Sequence, residues 1–141
     1  MKTKPAKRLP MILTTEGGLR REHPSEGIIF RILNDVDTGL GNSFCGLELP
    51  GNNYIQALHG LNGWHLEWRV TNPRNIRRYR HYRAANVIGS NRKRLLRKSD
   101  KFVSRGLERD LLDTEDVVQC FLAFLRLEAR PKHFMWRRLN I

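Results

Sequence analysis

The segment Trp64-His65-Leu66-Glu67-Trp68-Arg69-Val70 decides how this chain folds. Trp64, Leu66, Trp68 and Val70 are apolar, and His65, Glu67 and Arg69 between them are polar or charged. A pleated strand turns successive side chains to opposite faces, so a period of two marks a strand with one face in a core and the other turned away from it. Outward from this segment lie Phe44–Leu49, Tyr54–Leu58 and Ile76–Ala84, also short and rich in aromatic and branched residues. Pro50-Gly51-Asn52-Asn53, Gly60-Leu61-Asn62-Gly63 and Thr71-Asn72-Pro73-Arg74-Asn75 separate the four segments. Gly and Asn accept positive φ and Pro fixes φ, which is the chemistry of tight connections, so an antiparallel meander is expected.

Helices flank the meander. Pro24-Ser25-Glu26 precedes Ile28, Ile29, Ile32, Leu33 and Val36, whose spacing places them on one helical face behind a Ser cap. Asp37-Thr38-Gly39 is expected to stop that helix. Asp113-Thr114-Glu115-Asp116 caps a second one, with acids where the helix dipole favours them and an apolar stripe of Val117, Val118, Phe121, Leu122 and Leu125. It is expected to cover 114–128 and to end before Pro131. Phe134, Met135, Trp136 and Leu139 predict a last strand returning to the sheet. Residues 86–106 are basic and irregular, apart from a short helix expected around Leu95-Leu96. The expectation is therefore an α+β fold in a single domain over 23–141, an antiparallel β-meander of four to five strands packed against two helices, behind a basic flexible N-terminal tail at 1–22.

The charge balance narrows the partners. The 141 residues hold 26 Lys+Arg against 14 Asp+Glu, a formal net charge of +12 and a pI near 10.7. Such a surface attracts polyanions, whether nucleic acid, anionic membrane or an acidic protein. Cys45 and Cys120 are the two cysteines, too few and too far apart for a disulfide framework or a zinc ribbon, and they read as buried free thiols in a reducing compartment. The opening residues are basic, but Leu9–Leu13 is short and Pro-broken, unlike the apolar region of a signal peptide. Val117–Leu127 is interrupted by Gln119 and Arg126 and is too short to span a bilayer. A soluble, cytoplasmic protein is expected.

Catalytic patterns are hard to find. The sequence has no P-loop, no His-Glu-x-x-His, no Gly-x-Ser-x-Gly and no strand-to-helix Gly-x-Gly-x-x-Gly. His23, His59, His65, His81 and His133 include one pair, His65 and His81, that neighbouring strands could bring together as metal ligands or a base, although histidine on a sheet surface is the commoner case. Glu48 and Glu67 would make a carboxylate pair only if the fold joined them. Cys120, beside Val118 and Phe121, reads as core. No catalytic residue, cofactor or metal is assigned. The candidate partner-binding residues are Arg74, Arg77, Arg78, Arg80, Arg83, Arg92, Lys93, Arg94, Arg97 and Lys98, interleaved with Tyr79 and Tyr82. Charge runs are commonly solvated faces. Here arginine outnumbers lysine, and arginine forks onto phosphates and carboxylates, which favours binding.

The order of elements resembles the small immunity proteins of bacterial polymorphic-toxin systems, notably antidotes of deaminase and nuclease toxins. The matching residues are Tyr54-Ile55-Gln56, Gly63-Trp64-His65-Leu66-Glu67-Trp68-Arg69, Thr114-Glu115-Asp116, Phe121-Leu122-Ala123-Phe124-Leu125, Arg130-Pro131 and Trp136. The likeness spans roughly residues 26–139. It implies a protein that binds a cognate toxin and occludes its active site without turnover. Antidotes of this kind tend to be acidic, whereas this chain is basic, so the resemblance implies a toxin that presents an acidic surface. Trp64, Trp68 and Trp136 are assigned to the core and the arginines to the contact. The alternative, from the residues alone, is a nucleic-acid-binding protein that uses the Arg-rich segment 74–105.

Overall fold

A computed structural model describes residues 10–37, 44–98 and 101–140, with backbone alone at 37, 76, 98 and 101–103. Helix α1 runs over Glu26–Asp37, and the Ser25 hydroxyl accepts from the Ile28 N–H at 3.2 Å, satisfying a donor the first turn leaves open. Ile29, Leu33 and Val36 are buried and Ile28 and Ile32 pack against the same core, as the spacing predicts. Thr38 and Gly39, the expected stop, lie outside the described residues. Helix α2 runs over Thr114–Leu125, and its cap Asp113 accepts from the Asp116 N–H at 2.8 Å. This helix ends earlier than 128. Leu127 takes a left-handed φ of 59°, Leu127 N–H bonds the Phe124 carbonyl at 3.0 Å and Glu128 N–H that of Ala123 at 2.9 Å. That pattern closes the last turn without the glycine that would have announced it, and Pro131 plays no part.

Nine strands are present among the described residues: β1 (Ile12–Thr15), β2 (Arg20–Glu22), β3 (Phe44–Leu49), β4 (Asn53–Gly60), β5 (Gly63–Asn72), β6 (Asn75–Asn86), β7 (Lys93–Lys98), β8 (Lys101–Leu107) and β9 (Phe134–Leu139). Seven form one sheet in the order β2-β1-β3-β4-β5-β6-β9, with every neighbour antiparallel. The meander β3–β6 and the returning β9 were legible, but seven strands replace the expected four to five. The additional pair comes from residues 12–22, inside the expected tail. Leu13 is fully buried and pairs with Leu47, yet a four-residue strand is too short to show a period. Residues 1–9 lie outside the described residues.

Residues directly opposite on antiparallel strands share a face, so the register defines two faces. Leu13, Leu47, Ile55 and Trp68 stand in one row, and the helices cover this face. The Trp68 ring meets Phe124 edge-on at 5.2 Å, and Trp64 Nε1 donates to Thr114 Oγ1 at 3.0 Å. Arg126 of the α2 C-cap pairs with Glu26 of α1 at 2.5 Å. Val70, on the same face, is 39% exposed because it borders a groove with Glu128 and Arg130 beyond the end of α2.

The other face carries a second layer that was not expected. Residues 87–92 are irregular, as expected, but from Lys93 the chain forms the β7–β8 hairpin in place of the expected short helix and continued irregular run. Arginine, lysine and leucine lean towards helix, and tertiary contact overrides that local preference. Leu96 is fully buried against Gly60, Leu61 N–H donates to the Arg97 carbonyl at 2.6 Å, and the Asn62 side chain donates to the Leu95 carbonyl at 3.0 Å. A Cβ at Gly60 would lie 2.5 Å from the Arg97 carbonyl oxygen and 2.8 Å from a Leu96 methyl. Among the described residues no helix is long and apolar enough to cross a membrane.

Replacing Gly60 by Ala is therefore expected to lower stability by about 1–3 kcal/mol, because the hairpin backbone must move away. Gly27→Ala, whose Cβ would meet only the Ser25 hydroxyl at 4.0 Å, is expected to raise it by about 0.5–1 kcal/mol. Urea unfolding of the two variants beside the parent chain measures both shifts.

Candidate functional site

The polar residues of the deciding segment point to the face opposite the helices, and there the hairpin closes over part of them. The β5–β6 register sets Glu67 opposite Arg83 and Arg69 opposite His81. Glu67 Oε1 lies 3.2 Å from His81 Nε2 and 3.6 Å from an Arg83 nitrogen, and Gln56 donates to its other oxygen at 3.4 Å. Arg83 also donates to the Arg105 carbonyl and, at 3.4 Å, to the Ser104 hydroxyl, both on β8. Ser104 Oγ is 2.9 Å from His65 Nδ1. The single 3-10 turn Glu108–Asp110 after β8 delivers Asp110, which is fully buried. Its carboxylate accepts from the Leu107 N–H at 2.7 Å and from Arg137 Nε of β9 at 3.1 Å, and stands 3.9 Å from Arg83. Buried carboxylates persist where they are paired and hydrogen-bonded, and Asp110 is both.

His65 and His81 lie 1% and 2% exposed, so neither is the surface histidine the sequence favoured. His81 is shielded by the Tyr54 ring, 5.8 Å away and edge-on, and His65 by Gly106, where a Cβ would come within 2.9 Å of Nε2. Burial, reinforced by the Arg83 charge, pushes the His65 imidazole down to about 4, with Asp110 and Glu67 pulling weakly the other way. Ser104 and His65 are bonded to each other, but Ser104 is itself buried and the pair forms part of the packed layer. Among the described residues no group of three or more His, Cys, Asp or Glu could hold a metal ion. Glu48 faces Tyr54 and Glu67 faces Gln56, so β4 separates the two carboxylates. Cys45 and Cys120 are buried free thiols; burial pushes Cys45 up to about 12 and raises Cys120 as well.

The ten candidate contact residues divide between places. Arg83 belongs to the buried layer and is removed from the contact surface. Arg74, Arg77, Arg78 and Arg80 are exposed at the β5–β6 turn. Arg77, Arg78 and Arg80, together with Tyr79 and Arg138, line a groove of about 740 Å³, and Arg74 lies outside its lining. Arg80 pairs with Val70 and shares its face, whereas Arg77 and Arg78 fall in the register shift between the Thr71–Tyr79 and Asn72–Asn75 pairs, where the ladder assigns no face. β9 pairs with β6 from Asn86 back to His81, so residues 75–80 have no partner strand on that edge among the described residues. Arg92, Lys93, Arg94 and Arg97 are exposed on the hairpin or just before it, with Arg94 3.9 Å from Glu108; the Lys98 side chain lies outside the described residues. Tyr82 and Tyr79 are both stacked, by Arg130 at 3.9 Å and Arg69 at 3.5 Å.

Sequence reasoning missed Ser104, Asp110, Arg137 and Arg138. The available signal was the polar alternation of Tyr79, His81 and Arg83 beside that of His65, Glu67 and Arg69, which demands a polar cover once the strands are in register. No family model, no curated protein and no solved structure matches the chain.

The depressed His65 sets a pH dependence. The unfolded chain takes up a proton on this imidazole near its ordinary value of 6.5, whereas the folded chain holds it neutral until about 4. Stability is thus fully present above 6.5 and declines as the pH falls through that window, by about 3 kcal/mol. His65→Gln, which cannot protonate, is expected to flatten this part of the profile when unfolding is followed between the two pH values.

Proposed function

We propose that the chain is an immunity-type protein that binds a cognate toxin stoichiometrically and occludes its active site, using the arginine-rich end of β6. The observation that carries this reading is the union of two features at 75–80. Exposed Arg77, Arg78 and Arg80 surround a strand segment with one unpaired edge. An open edge offers main-chain donors and acceptors to an added extended segment, and the arginines select one that carries carboxylates. The basic charge of +12 favours the same kind of partner and speeds encounter with it. The titratable groups of the buried layer are engaged with one another, which supports binding in preference to turnover. No cofactor enters this reading.

The second reading, nucleic-acid binding, draws support from Tyr79 set between arginines in the groove. Salt separates the two. A protein that neutralises several phosphates of B-DNA loses affinity with a log–log slope of about −0.9 per phosphate contact. A desolvated protein interface depends on salt chiefly through its association rate.

The decisive experiment co-expresses the chain with a toxin encoded beside it and measures complex stoichiometry and residual toxin activity. A one-to-one complex that silences the toxin is expected. Arg78→Ala with Arg80→Ala should weaken it about tenfold or more, and the single change Arg77→Ala should cost less. Absence of any complex, together with steeply salt-dependent binding to DNA, would establish the second reading instead.

A further inference from the structure

A second basic feature lies away from the β6 end. Between the hairpin and the sheet is a cleft of about 410 Å³, lined by Arg83, Lys93, Arg94, Leu95, Arg105, Gly106, Leu107 and Arg137. Sites for small molecules commonly enclose roughly 300–1,000 Å³. Five of these residues are Arg or Lys and, among the described residues, none is acidic. The carboxylate that orders this wall, Asp110, is fully buried and outside the lining. It grips Arg137 through Nε and a terminal nitrogen, while Arg83 is fastened to Ser104 and the Arg105 carbonyl. Two guanidinium groups are therefore held in fixed orientation, which lowers the entropy lost when an anion docks. Arg83 is 8% exposed, and its Nε is a buried donor with no acceptor. That atom is out of reach from the cleft, so Arg83 acts on an anion there through its charge. Gly106 keeps the wall thin, and Leu95 and Leu107 give the cleft an apolar side.

We infer that this cleft binds a small phosphate monoester with an apolar body, its phosphate on Arg83, Arg137 and the hairpin cations and its body against Leu95 and Leu107. A dianion with three acceptor oxygens can draw on several guanidinium groups at once, whereas a carboxylate carries one charge and two oxygens. The inference stands apart from the proposed function, because the cleft shares no residue with the groove of Arg77, Arg78 and Arg80.

Titration calorimetry of the full chain with phenyl phosphate, inorganic phosphate and benzoate tests it. Phenyl phosphate is expected to bind saturably with one site and about tenfold more tightly than either control. The double variant Lys93→Gln, Arg94→Gln changes only exposed side chains and should weaken phenyl phosphate about tenfold with an unchanged melting temperature. Arg77→Gln with Arg78→Gln should leave that affinity as it is. Three results would overturn the inference: no saturable binding of phenyl phosphate, benzoate or inorganic phosphate binding equally well, or both double variants weakening it alike, since that last outcome reports net charge and no site.

Discussion

Asp110 is the constraint on which the arrangement of this protein turns. One fully buried carboxylate accepts from the backbone at Leu107, from Arg137 on β9 and, at the edge of ion-pair range, from Arg83 on β6. Those contacts join the end of the hairpin to two neighbouring strands of the large sheet. Taking a carboxylate out of water is costly unless several donors replace the lost hydration, so the donors and the acid must arrive together. The close approach at Gly106, where a Cβ would lie 2.8 Å from the same carboxylate and from His65, follows from that requirement.

The two faces of the sheet solve different problems. The helix face is an apolar core in which Trp64, Leu66 and Trp68 meet α2, and its stability rests on burial of area. The hairpin face is a polar layer in which Glu67, His81, Arg83, His65 and Ser104 are linked by ion pairs and hydrogen bonds, with His65 Nε2, His81 Nδ1 and Arg83 Nε left without partners, and its geometry rests on direction. Hydrogen bonds fix angles that apolar contact leaves loose, which suits a layer that must hold two guanidinium groups in set positions. The same alternation along β5 feeds both: odd and even positions of one strand supply the core and the polar layer.

The arginines divide by position, not by type. Arg83 and Arg80 are three residues apart on one strand, yet one is locked beneath the hairpin and the other is exposed at the open end. A net charge of +12 repels itself, and pairing with Asp110, Glu67, Glu26 and Glu108 offsets part of that repulsion. The remaining exposed arginines concentrate at the β5–β6 turn and along the hairpin, where an anionic partner can reach them.

Local pattern was enough to identify most of the framework. The alternation at Trp64–Val70, the turn residues around it, the Ser25 and Asp113 caps and the 3.6-residue stripes of both helices each record an interaction between residues close in the chain, and they read correctly. Residues 12–15 and 93–107 did not, because their strand state depends on partners such as Leu47 and Gly60 and on no period of their own. The candidate site divides on the same line. Composition alone determined that the chain is basic and that its arginines cluster between 74 and 105. Which of them are buried, which histidines lose contact with water and which carboxylate anchors the layer were decided by the tertiary structure, because burial and pairing depend on what the register and the returning hairpin place across a gap. Arg83 and Asp110 are 27 residues apart in sequence and nothing in either neighbourhood announces the other.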